Sequence, residues 1–396
     1  MEVSEALARI VGALSPVPAE QVGLAAAHGR VLAEPVAARL TKPALPLSAM
    51  DGYAVRAADL SSVPRVLRQV GMVPAGSVFE GAVGPGETVR IFTGAPLPPG
   101  TDSVLIQEDA VADGDRITAK ASVKSGTYVR PAGLDFKAGE VKLPAGRRLG
   151  PREIALAAAM NASWLAVRRR PRVAILATGD EVVMPGEPVA PHQVVSSNAL
   201  ALAALVTEAG GEPISIGIAR DTAESLRAAV ARATGADLLL ITGGASVGDH
   251  DLVRPVLAED GLVLDFWQIA MRPGKPLMFG LRRGLPVIGL PGNPVSTIVC
   301  GLLFVRPAIE ALLGLQRPAL PPLTAILGCD LPANDNRQDY LRSRLSVGPA
   351  GELVVTPLDR QDSSMLGHLA AADALAVRPV KAPPARRGDA IEILLL

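Results

Sequence analysis

From Arg172 onward the chain alternates between two apolar periods, and that alternation limits its fold more than any other feature. The segments 173–177, 214–218 and 238–241 read as strands, the first and last of them continuous apolar runs, while apolar residues three and four apart over 198–209 and 222–233 read as helices. Gly210-Gly211 closes the first helix, and Asp221 with Glu224 three residues later reads as a capping box for the second. A run at 287–290 followed by helical spacing over 295–313 repeats the strand-to-helix step. Parallel strands need crossover connections, and helices supply them while covering the sheet, so the segment is expected to form a doubly wound α/β domain.

The chain has 396 residues, more than one hydrophobic core serves, and the texture changes on either side of this segment. Residues 1–40 and 137–169 carry helical spacing and are expected to form one discontinuous helical domain, with the helix over 151–160 packing on the first helices. Short apolar runs at 66–70, 88–92 and 104–106, punctuated by Gly and Pro, make 41–136 a β-rich domain. The α/β domain is expected over 170–316. Pro318, Pro321 and Pro322 mark a linker, and short strands return at 340–347, 353–355 and 391–395, so 317–396 reads as a small C-terminal β domain. The whole is a multidomain α/β protein.

Lys plus Arg and Asp plus Glu each number 39, so no global field draws in a polyanion, and 2 Trp, 3 Tyr and 6 Phe offer few platforms for stacking on single strands. Nucleic acid is an unexpected partner. The uncharged stretch 284–305 has the length of a membrane span, but Pro286, Pro291 and Pro294 break its first half as a helix, so no membrane span is expected. The beginning lacks the pattern of a signal peptide, and two cysteines, Cys300 and Cys329, are too few for a disulfide framework; both point to a cytoplasmic protein.

Ligands of open α/β sheets bind beyond the carboxyl ends of the strands, so the loops there hold the chemistry. Three stand out: Thr178-Gly179-Asp180-Glu181, the run from Thr242 through Gly243, Gly244, Ser246 and Gly248 to Asp251, and Pro291-Gly292-Asn293-Pro294. All three are expected at one edge. The second is a candidate nest of backbone N–H groups for an anion. Gly243 and Gly248 have the spacing of a phosphate-binding loop, but Asp249 stands where that motif needs lysine. Asp180, Glu181, Asp249 and Asp251, with Asp221 as a further candidate, are hard oxygen donors that suit Mg²⁺ against a phosphate. Helix capping and solvated turn acids are the competing reading. Arg272 and Lys275, framed by Pro273-Gly274 and Pro276, suit an anion clamp, against the alternative of a charged surface turn.

Elsewhere the residues read more plainly. Asp51-Gly52 reads first as a hairpin turn, and Cys300 as core. His28, His192, His250 and His368 lack metal spacing, and His250, between Asp249 and Asp251, reads as a solvated loop residue.

Taken together, Ser-Ala-Met-Asp-Gly-Tyr-Ala at 48–54, Phe-Thr-Gly-Ala-Pro at 92–96, Arg130 with Gly133-Leu134-Asp135, the Thr-Gly-Asp-Glu at 178–181, Gly-Gly-Ala-Ser-Val-Gly at 243–248, Pro-Gly-Lys-Pro at 273–276 and Leu-Pro-Gly-Asn-Pro-Val-Ser at 290–296 resemble the MoeA family of molybdopterin molybdenumtransferases, which includes the molybdenum-inserting domain of gephyrin. The resemblance spans nearly the whole chain. It implies an elongated homodimer with a MogA-like molybdopterin-binding domain, whose substrates are adenylylated molybdopterin and molybdate and whose reaction releases AMP with Mg²⁺ as cofactor. A molybdopterin adenylyltransferase is an implied partner. By the same motifs, Glu181 and Asp251 would stand at metal and phosphate with Asp221 as a further ligand. Lys275 would bind the anion with Arg272, and Thr178, Gly179, Asp180, Gly243, Gly244 and Ser246 would line the pterin-phosphate pocket. Asp51, Thr93, Arg130 and Asp135 would come from the other subunit, while Pro291, Asn293 and Pro294 would shape the third loop. Arg337, Arg342 and Ser363 are the last domain's candidates.

The chain departs from the family pattern at Arg272, often lysine, at Asp249-His250, at Ser196, where aspartate is frequent, and at Asp362 in place of glycine. A non-catalytic scaffold of gephyrin type is the competing function; intact Asp51, Glu181, Asp251 and Lys275 favour the enzyme, since a scaffold needs no aligned acids and cations. An adenylyltransferase would need the α/β domain alone.

Overall fold

A computed structural model describes residues 1–243, 252–315 and 322–396. The segment 244–251, with Gly244, Ser246, Asp249, His250 and Asp251, lies outside the described residues.

The α/β domain is built on a six-stranded sheet in the order Glu212–Ala219, Arg172–Thr178, Leu238–Thr242, Leu285–Leu290, Met278–Arg282, Leu262–Trp267. The first four strands are parallel, as the alternation predicts. The last two are antiparallel to their neighbours, an addition that the sequence pattern left unread. Leu238–Thr242 is buried along its whole length, the condition under which a strand reads as a continuous apolar run. Helix Asn198–Ala209 ends at Gly210 in the left-handed region (φ 99°). The expected capping box at Asp221 is not formed. Thr222 is the N-cap of helix Ala223–Ala231, its side chain accepting from the Ser225 N–H, which leaves the Asp221 carboxylate free of that duty.

Leu285–Leu290 is a strand, and the apolar helical stretch runs Pro294–Leu312, with a π turn at Gly301–Val305. By length and composition this helix is apolar enough to cross a membrane, but 67% of its most apolar window is buried in the protein. Val295, Val299, Phe304 and Ile309 sit in the main core with Leu202 and Val206 of Asn198–Ala209.

Helix Val3–Gly12 buries Val3, Ala6 and Ile10 in that same core. Helix Pro151–Ala159 does not pack on it. Its partners are the turn Leu24–Ala26 and a separate cluster with Leu32, Phe136 and Leu165. Strand Ala19–Gly23 pairs with Trp164–Arg168, so strand pairing as well as helices joins the two ends of this region.

The β-rich sheet runs Ser103–Ile106, Gly52–Val55, Glu87–Ile91, Arg65–Val73, Arg116–Ala119, Ala110–Asp113. Asp51-Gly52 is not a hairpin turn. Gly52 opens a central strand, where a Cβ would stand 2.1 Å from the Leu105 carbonyl oxygen, so the glycine serves a close strand approach.

In the C-terminal domain Gln338–Val347, Leu353–Pro357, Leu323–Leu327, Ala390–Leu395 and Ala374–Arg378 pair in sequence, and the last pairs back on the first, closing a barrel. A short strand of the α/β domain, Met271–Arg272, joins it in parallel, with Met271 opposite Gln338 and Arg272 opposite Asp339.

Candidate active site

Strand Arg172–Thr178 lies between Glu212–Ala219 on one side and Leu238–Thr242 on the other, so the chain leaves its carboxyl end in opposite directions and opens a crevice. Thr178-Gly179 and Thr242-Gly243 face each other there. Gly243 has φ 92°, and a Cβ on it would lie 2.6 Å from the Thr178 carbonyl oxygen and 2.8 Å from Thr178 Oγ1. Only glycine fits this floor. The third loop is drawn in by Asn198, whose Nδ2 donates to Thr242 Oγ1 at 3.1 Å and to the Gly292 carbonyl at 2.7 Å. Thr297 Oγ1 donates to the Pro291 carbonyl at 2.5 Å. Thr242 was already part of the second loop, but Asn198 and Thr297 were missed by sequence reasoning. The visible signal was an asparagine at a helix start directly after two serines.

These loops enclose a cavity of about 1060 Å³ whose far wall belongs to the C-terminal barrel. Thr178, Gly179, Glu181, Asp221 and Gly243 line the side near the sheet, and Pro291, Asn293 and Pro294 line the third loop. Arg272 and Lys275 also line the cavity, with Arg337 and Ser363 from the barrel. Asn293 Nδ2 donates to Ser363 Oγ at 2.8 Å and the Val295 N–H to the Ser363 carbonyl at 3.2 Å, which stitches the two domains together across the rim. Arg342 is not on the wall. It is buried and holds the rim loop from behind through the Asp362 carbonyl at 3.0 Å, and burial lowers its pKa. Asp362 caps Ser364, accepting from its N–H at 2.8 Å and its hydroxyl at 2.6 Å.

The acids crowd one side. Asp180 accepts the Asp221 N–H at 3.2 Å, and the Asp221 carboxyl is pushed above its ordinary pKa. Burial is the main cause, and the like charges of Asp180 and Glu181 add to it against a backbone hydrogen bond from Asp180. Among the described residues no three metal-ligating side chains converge on one point. The hard carboxylate oxygens nonetheless suit a divalent cation, and their mutual repulsion is the kind of strain that a cation relieves. Thr178 Oγ1 is buried without a hydrogen-bond partner among the described residues.

The two cations differ. The Arg272 guanidinium is already committed to the barrel, paired with the buried Asp339, with Asp335 at 3.2 Å and with Asn334 at 3.4 Å. Lys275 is exposed and makes no ion pair among the described residues. Its loop is set by Gly274 (φ 115°), where a Cβ would meet Cys300 Sγ at 2.5 Å and Met271 Cε at 3.0 Å. Cys300 is thus a core residue under the loop, with its thiol pKa pushed up by burial.

Asp51, Thr93, Arg130 and Asp135 do not line this cavity within the chain. Asp51 Oδ1 accepts the Thr93 N–H at 2.7 Å and the Thr93 hydroxyl at 2.8 Å. The backbone donor most of all, then the hydroxyl, hold Asp51 below its ordinary pKa, with a smaller contribution from Arg90. Arg130 and Asp135 border a separate groove of about 620 Å³ lined by Leu45, Leu47 and Leu134.

Three family models tile the chain. The MoeA N-terminal region (domains I and II) matches residues 1–161, a probable molybdopterin binding domain matches 174–311, and the MoeA C-terminal region (domain IV) matches 324–396. The chain is 39% identical over 370 residues to the molybdopterin molybdenumtransferase of Nostoc sp., covering 91% of this chain and 85% of that protein. It is 35% identical to that of Haemophilus influenzae, covering 88% and 87%. A crystal structure of a molybdopterin biosynthesis MoeA protein from Pyrococcus horikosii superposes with a TM-score of 0.85 at 32% identity, covering 100% of this chain and 98% of that one. With three domain models in register, these relatives along nearly its whole length and the same fold, the chain belongs to the MoeA family of molybdopterin molybdenumtransferase enzymes.

Proposed function

We propose that this protein transfers molybdenum from molybdate to adenylylated molybdopterin, with magnesium-assisted cleavage of the pyrophosphate bond and release of AMP. The observation that carries this reading is a Lys275 ammonium without an ion pair among the described residues, on the same cavity as the Glu181 and Asp221 carboxylates. An unpaired cation draws in oxyanions, and opposed acids offer a seat for a divalent ion, so one cavity serves both a metal oxide and a pyrophosphate. Lys275 attracts molybdate or phosphate oxygens. The Thr178 hydroxyl, without a hydrogen-bond partner among the described residues, is a hydrogen-bonding group for the bound substrate, and Gly243 leaves room for the Thr178 side chain beside it. Glu181 and Asp221, with Asp251, would hold Mg²⁺, which when bound supplies Lewis-acid stabilisation of charge on the pyrophosphate oxygens. Asp180, beside them, orients Asp221 through its N–H.

The site is completed by a second copy, which contributes Asp51, Thr93, Arg130 and Asp135. What supports this is their separation from the cavity within one chain and the exposed apolar groove beside Arg130 and Asp135, with Leu45 51% and Leu134 60% exposed. The substrate must come from an adenylyl transfer to molybdopterin, which makes an adenylyltransferase the natural supplier. Two unpaired cysteines suit the reducing cytoplasm.

The test is turnover. Purified protein with adenylylated molybdopterin, Mg²⁺ and molybdate is expected to release AMP and yield molybdenum-loaded cofactor, and Glu181→Gln to lose most of this. A wild-type protein that binds molybdopterin but releases no AMP would be a scaffold. Tungstate in place of molybdate measures the choice of metal.

A further inference from the structure

We infer that Arg90 is a positioning residue for Asp51: its guanidinium ties together the backbone on both sides of that carboxylate and fixes where it stands. The inference rests on the reading that Asp51 serves the shared cleft.

Arg90 lies on strand Glu87–Ile91 directly opposite Tyr53, two residues after Asp51. Its Nη2 donates to Gln107 Oε1 at 2.7 Å and its Nη1 to the Gly52 carbonyl at 3.4 Å. The guanidinium carbon is 4.9 Å from the Tyr53 ring centre and 5.2 Å from that of Phe92. Each contact leads to Asp51. Gly52 follows it in the chain, the Gln107 N–H donates to its carbonyl at 3.2 Å, and Phe92 precedes Thr93, which grips its Oδ1. One planar cation therefore links the strand that begins after Asp51, the turn bonded to its backbone and the turn that caps its side chain. Lysine carries the charge but not the fork that reaches two acceptors in fixed directions. Arg90's charge also favours the ionised carboxylate, behind the two bonds from Thr93.

Removing the clamp leaves Asp51 and Thr93 in place but lets their turns drift, and sub-ångström errors in a catalytic constellation cost rate rather than affinity. Arg90→Gln is expected to lower kcat for AMP release about ten- to a hundredfold with the KM for molybdate unchanged, and Arg90→Lys to fall between it and wild type. In an Asp51→Ala background Arg90→Gln is expected to cost nothing further, because a residue that acts through Asp51 has nothing left to position. Gln107→Leu removes the same clamp from its other end and is expected to repeat the kcat loss, which covers the case of a misfolded Arg90 variant. Full kcat in both Arg90→Gln and Gln107→Leu, or the same fold loss with and without Asp51, would overturn the inference while Asp51→Ala kept only a measurable residue of activity. A fully active Asp51→Ala would instead remove Asp51 itself from the reaction, and Arg90's role with it.

Discussion

At the scale of single residues the site depends on a cation without an ion pair among the described residues and on the glycine that shapes its loop. Lys275 is exposed and unpaired among the described residues, so Lys275→Ala is expected to leave Tm within about a degree and to raise the molybdate concentration needed for half-maximal turnover at least tenfold; unchanged molybdate dependence would remove it from the anion site. Gly274→Ala should cost about 1–3 kcal/mol in urea unfolding, because it forces a side chain into φ 115° and against Cys300 Sγ. Adding Cys300→Ala should restore the part due to overlap and not the part due to backbone strain. Asp221 makes a prediction in pH. Its carboxyl is raised by burial and by Asp180 and Glu181, so the folded state holds the proton more tightly than the unfolded chain does. That contribution is complete below the ordinary aspartate range and is lost as pH rises through the folded value. Asp221→Asn should therefore have a higher Tm than wild type at neutral pH without divalent ions, and the gap should close in acid. Mg²⁺ should raise the wild-type Tm more than that of the variant. Equal Mg²⁺ effects on the two proteins would take Asp221 out of the metal site.

At the scale of elements, Asn198 is the most consequential side chain that carries no charge, since it ties the helix start to two strand ends. Asn198→Ala should cost about 1–3 kcal/mol by leaving Thr242 and the Gly292 carbonyl short of a donor, with turnover falling as the third loop loosens; an unperturbed enzyme would mean the loop is held by Thr297 and by the bonds of Asn293 and Val295 to Ser363. The central parallel strands Arg172–Thr178 and Leu238–Thr242 were legible because burial on both faces leaves an unbroken apolar run, and the loops followed because a βαβ chain has its strand ends on one edge. The antiparallel pair Leu262–Trp267 and Met278–Arg282 was not legible, for Val263, Leu264 and Asp265 are all exposed and blur the period. Thr222 took the cap from Asp221 because either residue type suits that position and only backbone direction decides. Arg272 was legible as a cation beside an anion site. That its guanidinium is spent on Asp339 and Asp335 depends on a strand pairing between residues more than sixty positions apart, which local spacing does not encode.

At the scale of the molecule, the large cavity is walled by the α/β domain and the C-terminal barrel, joined through Met271–Arg272 and through Asn293 and Ser363, while the Asp51 cluster stands on another domain. If the cleft is shared between chains, subunits carrying Asp51→Ala and subunits carrying Glu181→Ala, each strongly impaired alone, should regain partial activity when mixed into heterodimers. No recovery in heterodimers of verified composition would assign both residues to one chain. Whether chemistry happens in the crevice at the carboxyl end of strand Arg172–Thr178 is decided by a crystal structure of the protein with adenylylated molybdopterin and Mg²⁺ in the absence of molybdate. The pyrophosphate is predicted within hydrogen-bonding reach of Thr178 and Lys275, with the cation against Glu181. A substrate seated wholly in the groove beside Arg130, away from all three, would contradict it.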